Sequence, residues 1–392
     1  VYLNFFENPD YASVFSGSLE VDTIVMMLSA LLGSEAVFES GHTVLILDEI
    51  QECPEARTAL KFFRMDGRYD VIGTGSLLGV KGYGKEPKSI PVGSETVIDM
   101  YPLDFEEFLW ANGISAPVID MLRHCLQEEI PVPEALHNRM KQLLLQYAVV
   151  GGMPDAVQTF VDTKQMDAVL QIQRDIVRSY EDDMVKYAER KDKSKIKECF
   201  QSIPRQLSKE NKKFQYSVVK KGSTSSKYAG SLQWIEDAGI IIRAYNLSIT
   251  ELPLDGNAEE DVFKVYMRDC GLFVSMLEDG TQFDILNGNL HGYKGAIFEN
   301  LIADIFGKMG RRLYYFHKDS GLEVDFVIRY QGECTLVEVK AATGNTKSTK
   351  TILRHPEKYH VYHAIKLGDY NVGRTEQILT LPLYMAILLT EL

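Results

Sequence analysis

Two sets of residues in this 392-residue chain have the types and spacing to hold a metal ion and activate a water. In the first, the apolar run Thr43-Val44-Leu45-Ile46-Leu47 ends in Asp48 and Glu49. A buried strand delivering adjacent carboxylates is the form called Walker B: the first joins a Mg²⁺ shell and the second orients the water that attacks a nucleoside triphosphate. The run Asp70-Val71-Ile72-Gly73-Thr74-Gly75-Ser76 reads as a second strand. Its hydroxyl residues, Thr74 or Ser76, stand where a sensor would bond the γ-phosphate or the water; a tight turn after a strand calls for the same residue types.

The second set is Glu299, Asp325, Glu338 and Lys340. Glu338-Val339-Lys340 alternates along a strand, which puts the two charged side chains on one face, and Asp325 sits similarly in Glu323-Val324-Asp325-Phe326-Val327. Two carboxylates and a lysine on adjacent strands can hold a divalent ion at Asp325 and Glu338 and activate water for phosphodiester cleavage, with Glu299 reaching in from the preceding helix. A polar sheet face turned to solvent shows the same E-x-K pattern. Helix-borne Glu, then Asp, then E-x-K, in a helix, three strands, helix, strand succession, is similar to the PD-(D/E)xK nuclease core, a fold that keeps its strands whether or not the metal pocket is retained.

A Walker B strand calls for a phosphate cradle, G-x-x-x-x-G-K-[ST], upstream of it, because amides and a lysine hold the phosphates. Residues 1–42 contain none: Gly17, Gly33 and Gly41 precede the carboxylates and none is followed by lysine. The reading is half of an ATPase site, with negligible ATP turnover expected from these residues alone. Farther on, Lys209, Lys212, Lys213, Lys220, Lys221 and Lys227 gather around a helix opening Ser223-Thr224-Ser225-Ser226. Such a cluster can contact DNA phosphates, and a solvated loop accounts for it equally. His360 and His363, three apart on a strand, face opposite ways and read as surface residues.

The elements that must carry these residues follow from periodicity. Strands at 1–6, 43–47 and 70–73 alternate with helices at 21–32 and 56–63, giving an α/β sheet with Asp48, Glu49, Thr74 and Ser76 at strand C-terminal ends. From Asp104 to about Lys186 the pattern is helical, interrupted at Ile130-Pro131-Val132-Pro133 and Gly151-Gly152-Met153-Pro154. Three short helical patterns then precede an apolar hairpin at Ile240-Ile241-Ile242, the winged-helix plan. The last third gives a helix at 295–309, strands near 313–316, 322–328 and 334–339, a helix, and a strand near 361–365. Domains are expected at 1–106, 107–190, 191–255 and 256–392.

Composition restricts the partners. A net charge of −13 excludes a protein coated with nucleic acid over its whole surface and leaves room for a local basic face. Five scattered cysteines without a C-x-x-C pair signal neither a disulfide framework nor a zinc site and suit a reducing cytosol. No leader opens the chain, and the apolar stretch Leu381–Leu389 is too short to cross a bilayer, so a cytoplasmic protein without a membrane partner is expected.

Taken in order, several segments resemble one family: bacterial and archaeal AAA-type ATPases that carry a C-terminal domain of unknown function. They are Leu47-Asp48-Glu49-Ile50-Gln51-Glu52-Cys53-Pro54, Gly73-Thr74-Gly75-Ser76-Leu77-Leu78-Gly79 and Tyr101-Pro102-Leu103-Asp104-Phe105-Glu106-Glu107-Phe108-Leu109. Gly151-Gly152-Met153-Pro154, Lys264-Val265-Tyr266-Met267-Arg268-Asp269-Cys270-Gly271-Leu272, Gly295-Ala296-Ile297-Phe298-Glu299-Asn300, Glu323-Val324-Asp325-Phe326 and Glu338-Val339-Lys340 complete the series. The resemblance implies an AAA-like P-loop NTPase sheet, here lacking its first strand and P-loop, then a helical lid, a winged helix and a C-terminal restriction-endonuclease-like αβββαβ domain. It implies ATP and Mg²⁺ as cofactors, with Asp48 on Mg²⁺, Glu49 as catalytic base and Thr74 or Ser76 as sensor, and it places Glu299, Asp325, Glu338 and Lys340 at nuclease positions. Gly93-Ser94 stands where the family has a Gly-Arg pair, so the arginine finger is unassigned, with Lys81, Lys85 and Lys88 nearby. Three functions remain open: an ATPase, acting as a homo-oligomer, whose C-terminal half binds or cuts DNA; a non-catalytic nucleic-acid or protein interaction module; and a Mg²⁺-dependent DNA nuclease on a vestigial ATPase core.

Overall fold

The computed structural model describes residues 1–76, 93–187, 192–209, 212–289, 294–340 and 346–390; Leu77–Gly79, Lys81, Lys85 and Lys88 lie outside them. The described residues divide into two compact units, one over 1–100 with 186–187 and one over 101–185 and from 192 onward.

The first unit is a parallel sheet in the order β1 (Tyr2–Asn4), β2 (Val44–Asp48), β3 (Asp70–Gly73). Parallel strands need crossovers, and the helices Val21–Leu32 and Pro54–Asp66 supply them. Leu3, Leu45 and Leu47 from the strands meet Ile24, Leu28, Ala56, Ala59 and Phe63 from the helices in one buried core. Pro54 at the first helical position and Gly67 in a left-handed conformation after the last turn mark the ends of the second helix. The register Asn4↔Asp48 and Leu47↔Gly73 brings all three strand ends level at one edge of the sheet.

The second unit begins with five helices, Phe105–Ala111, Ala116–Gln127, Glu134–Val150, Pro154–Thr163 and Met166–Tyr187. The first opens on a reciprocal cap: Glu107 N donates to Asp104 Oδ1 and Asp104 N donates to Glu107 Oε2, both at 2.8 Å. The Gly-Gly-Met-Pro run is a packing corner. Gly151 has a left-handed backbone (φ 70°), and Gly152 N donates to Asp269 Oδ2 at 2.7 Å while its carbonyl accepts from Leu103 N at 2.8 Å. A Cβ on Gly152 would lie 2.0 Å from the Leu103 carbonyl oxygen.

Three further helices, Lys193–Leu207, Tyr216–Val219 and Ser225–Asp237, lead into the antiparallel pair β4 (Ile241–Leu247) and β5 (Ala258–Met267). This pair is the end of a larger sheet. β4 also runs parallel to β6 (Leu313–His317), which continues through β7 (Glu323–Tyr330), β8 (Glu333–Val339), β9 (His363–Gly368), β11 (Ile378–Pro382) and β10 (Gly373–Thr375), eight strands in all. The boundary expected at 255/256 therefore falls inside the β4–β5 hairpin, and that expected at 106/107 inside the helix Phe105–Ala111. The helix Lys294–Lys308 and the order helix, β6, β7, β8, helix, β9 follow the sequence reading. The apolar stretch at 381–389 is the end of β11 and a buried 3₁₀ turn, and no described helix is long and apolar enough to cross a membrane.

Gly152→Ala is expected to destabilise the second unit by at least about 1–3 kcal/mol, because the methyl group has only backbone to displace. An unchanged midpoint in urea denaturation would refute this account of the corner.

Candidate functional site

At the first sheet edge, Asp48 is the last residue of β2 and Thr74 the first beyond β3. The parallel register sets them side by side, and the Thr74 hydroxyl donates to Asp48 Oδ1. Glu49 N donates to the same oxygen at 3.1 Å. Oδ2 accepts from the Tyr2 hydroxyl at 2.5 Å and from Asn4 Nδ2 at 3.1 Å. These four donors, Thr74 foremost and Tyr2 next, outweigh the opposing effect of burial and hold the Asp48 carboxyl below the usual carboxylate range.

Glu49 occupies the left-handed region (φ 53°), a conformation that costs a residue with a side chain about 1–3 kcal/mol. Its carboxylate accepts from Gln51 Nε2 at 2.5 Å. Ser76, exposed, lies two residues beyond the threonine that bonds Asp48. Tyr2 and Asn4 were outside the sequence reading, although their signal is simple: two polar residues spaced by two share a face of β1, and β1 is the parallel neighbour of the Walker B strand.

The second set converges in the C-terminal sheet. β7 and β8 are antiparallel with Phe326 opposite Val337, so Asp325 and Glu338 come from neighbouring strands, and Val339 N donates to Asp325 Oδ2 at 2.8 Å. Glu338 is buried; its Oε1 accepts from the Thr349 hydroxyl at 2.6 Å and its Oε2 pairs with Lys340 Nζ at 2.6 Å. Burial, with Glu299 and Glu338 nearby, pushes the Asp325 carboxyl well above its ordinary range, against the pull of Lys264 and Lys340.

Glu299 comes from the helix Lys294–Lys308, which Asn300 anchors to the end of β5 by accepting from Met267 N at 2.8 Å. This anchoring aims Glu299 at Lys264 and Tyr266, alternate residues on one face of β5. Lys264 Nζ donates to Glu299 Oε1 at 3.1 Å, and the Tyr266 hydroxyl and Lys212 Nζ bond the same carboxylate. Burial alone would raise the Glu299 carboxyl; Lys264 and Lys212 reverse that and hold it below the ordinary range. Lys212 is thus turned into the pocket, whereas Lys213, Lys220, Lys221 and Lys227 are exposed, Lys220 pairing with Glu198 at 2.8 Å. Lys264 and Tyr266 carried no functional reading, because a lysine three residues before a strand end resembles any surface lysine until the fold buries it.

Metal fit differs between the sites. Asp48 is an ionised, partly exposed carboxylate at a strand's carboxyl end, with Glu49 adjacent, which is the hard oxygen donor set that Mg²⁺ takes. Asp325 and Glu338 also fit one divalent ion, since a cation would relieve their mutual repulsion. No group of three or more His, Cys, Asp or Glu suited to holding an ion occurs among the described residues.

The first unit is a parallel sheet ending in Asp-Glu beside a threonine hydroxyl, and the second unit holds a buried pocket of paired carboxylates. Compared with known families, residues 1–109 match the AAA domain, 141–282 the Domain of unknown function (DUF8612) and 294–384 the Domain of unknown function (DUF4143). The chain thus carries a match to an AAA domain in its N-terminal part and a match to the DUF4143 domain toward its C-terminus. Among solved structures it is similar to the Walker-type ATPase paby2304 of Pyrococcus abyssi, at 14% identity and a TM-score of 0.36 over 70% of this chain and 71% of that one. No curated protein matches it.

Thr74→Val is expected to raise the Asp48 pKa toward the ordinary carboxylate value, read by carboxyl NMR. Because the folded value is depressed, the stability Asp48 contributes is present above the ordinary carboxylate pKa and lost as pH falls through the folded one; in the variant that contribution is smaller and its loss is complete at a higher pH. An unmoved titration would contradict the assignment of Thr74 as the dominant donor. Separately, Lys264→Met removes one partner from a buried pair and is expected to cost roughly 3–5 kcal/mol, with Lys264→Met/Glu299→Gln recovering part of it in the same denaturation assay.

Proposed function

We propose that, where a phosphate cradle completes the site, this protein binds and hydrolyses ATP with Asp48 as the Mg²⁺ carboxylate, Glu49 as the base that orients and deprotonates water, and Thr74 as the sensor, Ser76 lying beyond it. The observation that carries the reading is the Thr74–Asp48 bond at the level ends of two parallel strands, beside a second carboxylate. Bound Mg²⁺ would supply charge neutralisation and alignment of the phosphate oxygens. The chain's own contribution is to keep Asp48 ionised through Thr74, Tyr2, Asn4 and the Glu49 amide, and to set Glu49 at a turn that aims its carboxylate apart from that of Asp48.

A second reading, phosphodiester cleavage in the C-terminal pocket, is favoured by one specific observation: Asp325 and Glu338 on adjacent strands, with the Lys340 ammonium 2.6 Å from Glu338. In this reading Asp325 and Glu338 hold a divalent ion, Lys340 steadies the water, and Glu299 borders them. The helices between 192 and 237 present Lys213, Lys220, Lys221 and Lys227 to DNA, beside the nuclease-like sheet of a cytoplasmic homo-oligomer. The competing possibility, an interaction module without turnover, predicts the same surface lysines and no cleavage.

On the full-length gene product, Glu49→Gln is expected to lower kcat for ATP by about 10²–10⁴-fold while ATP binding persists; undiminished turnover would overturn the ATPase assignment. Plasmid cleavage in Mg²⁺ or Mn²⁺ should vanish in Asp325→Ala and in Lys340→Ala. Absence of cleavage by the wild type across divalent metals would leave the interaction module as the better account.

A further inference from the structure

Carboxylates enter the C-terminal pocket from three elements, yet they do not gather as one ligand set among the described residues. Glu299 is the reason. Its carboxylate is 2% exposed and accepts from Lys264, Lys212 and Tyr266. An ionised carboxylate offers about four acceptor positions, so three are filled by protein donors, two of them ammonium groups. Lys264 is itself 2% exposed, a burial that lysine tolerates only when paired. It is paired twice, with Glu299 and with Glu323 Oε1 at 3.1 Å, and its ammonium lies 4.8 Å from the centre of the Tyr315 ring. Glu323 shares a face of β7 with Asp325, two residues on, so Lys264 stands along the wall from which Asp325 projects.

We propose that Lys264 takes the place of a second cation in this pocket: Glu299 is committed to Lys264 and Lys212, and a divalent ion binds singly, on Asp325 and Glu338. The inference rests on the reading of those two residues as a metal pair. For an ion to take Glu299 through more than the one acceptor position left, it would have to displace a protein donor, and displacing Lys264 would leave that buried ammonium with only Glu323 as its ion-pair partner. Lys264 and Glu299 are accordingly positioning residues. They supply fixed charge beside the ion and keep the helix Lys294–Lys308 against β5, without touching the ion.

The test counts ions instead of turnover. Full chain carrying Asp48→Asn/Glu49→Gln, which removes the N-terminal carboxylates, is titrated with Mn²⁺ and the free ion is read by electron paramagnetic resonance. One Mn²⁺ per chain is expected, lost in Asp325→Asn and kept within about threefold in affinity when Glu299→Gln is added. Since Glu299→Gln leaves two ammonium groups facing an amide and can unfold the unit, Lys264→Met/Glu299→Gln serves as the charge-matched alternative, with the same outcome expected. Two ions per chain, or loss of binding in the folded Glu299 variants, overturns the proposal. No bound Mn²⁺ overturns it together with the metal reading of Asp325 and Glu338. One ion bound without plasmid cleavage sustains it and overturns the nuclease reading alone.

Discussion

A carboxylate withdrawn from water must be matched by a positive charge, and in the larger unit that demand is met at Glu299. The salt bridge to Lys264 joins the helix Lys294–Lys308 to β5, the second arm of Lys264 reaches β7 through Glu323, and Lys212 brings in the segment preceding the helix Tyr216–Val219. Four stretches distant in sequence are thereby held to one buried charge. Lys264 and Glu299 are buried on both sides of their pair, so removing either partner would leave an uncompensated charge, whereas Glu323 is 40% exposed.

The N-terminal edge solves the opposite problem. Asp48 is only partly buried, so it needs orientation more than neutralisation, and hydrogen bonds from Thr74, Tyr2, Asn4 and the Glu49 amide provide it without a cation. A carboxylate held this way stays charged and directed, which suits a metal ligand in ATP hydrolysis. Glu299, saturated by ammonium groups, is suited to holding structure. The same side-chain chemistry thus takes two roles according to which donors the fold brings up.

Much of the fold was legible because its signals are local. The strand at 70–73, the helix at Val21–Leu32, and the breaks at 130–133 and 151–154 follow from period and backbone stereochemistry within a few residues. So does the placement of Glu338 and Lys340 on one face of a strand, now seen as an ion pair. The joining of β4 and β5 to the strands β6 to β9 was not legible, because the β4–β6 pairing spans some seventy residues and nothing in either strand names its partner. β10 and β11 were missed since three and five residues carry too little pattern.

The sequence by itself determined the order of elements, the adjacent carboxylates at the end of β2 and the E-x-K face, all of which depend on neighbours along the chain. Only tertiary structure decided which residues complete the sites. Tyr2 and Asn4 reach Asp48 through a parallel register, and Lys264 and Lys212 reach Glu299 through a helix docked on a sheet, so that a lysine indistinguishable from a surface residue becomes a buried counter-ion. The physical reason is that charge compensation acts through space: its partners are chosen by distance and dielectric, which the linear chain does not encode locally.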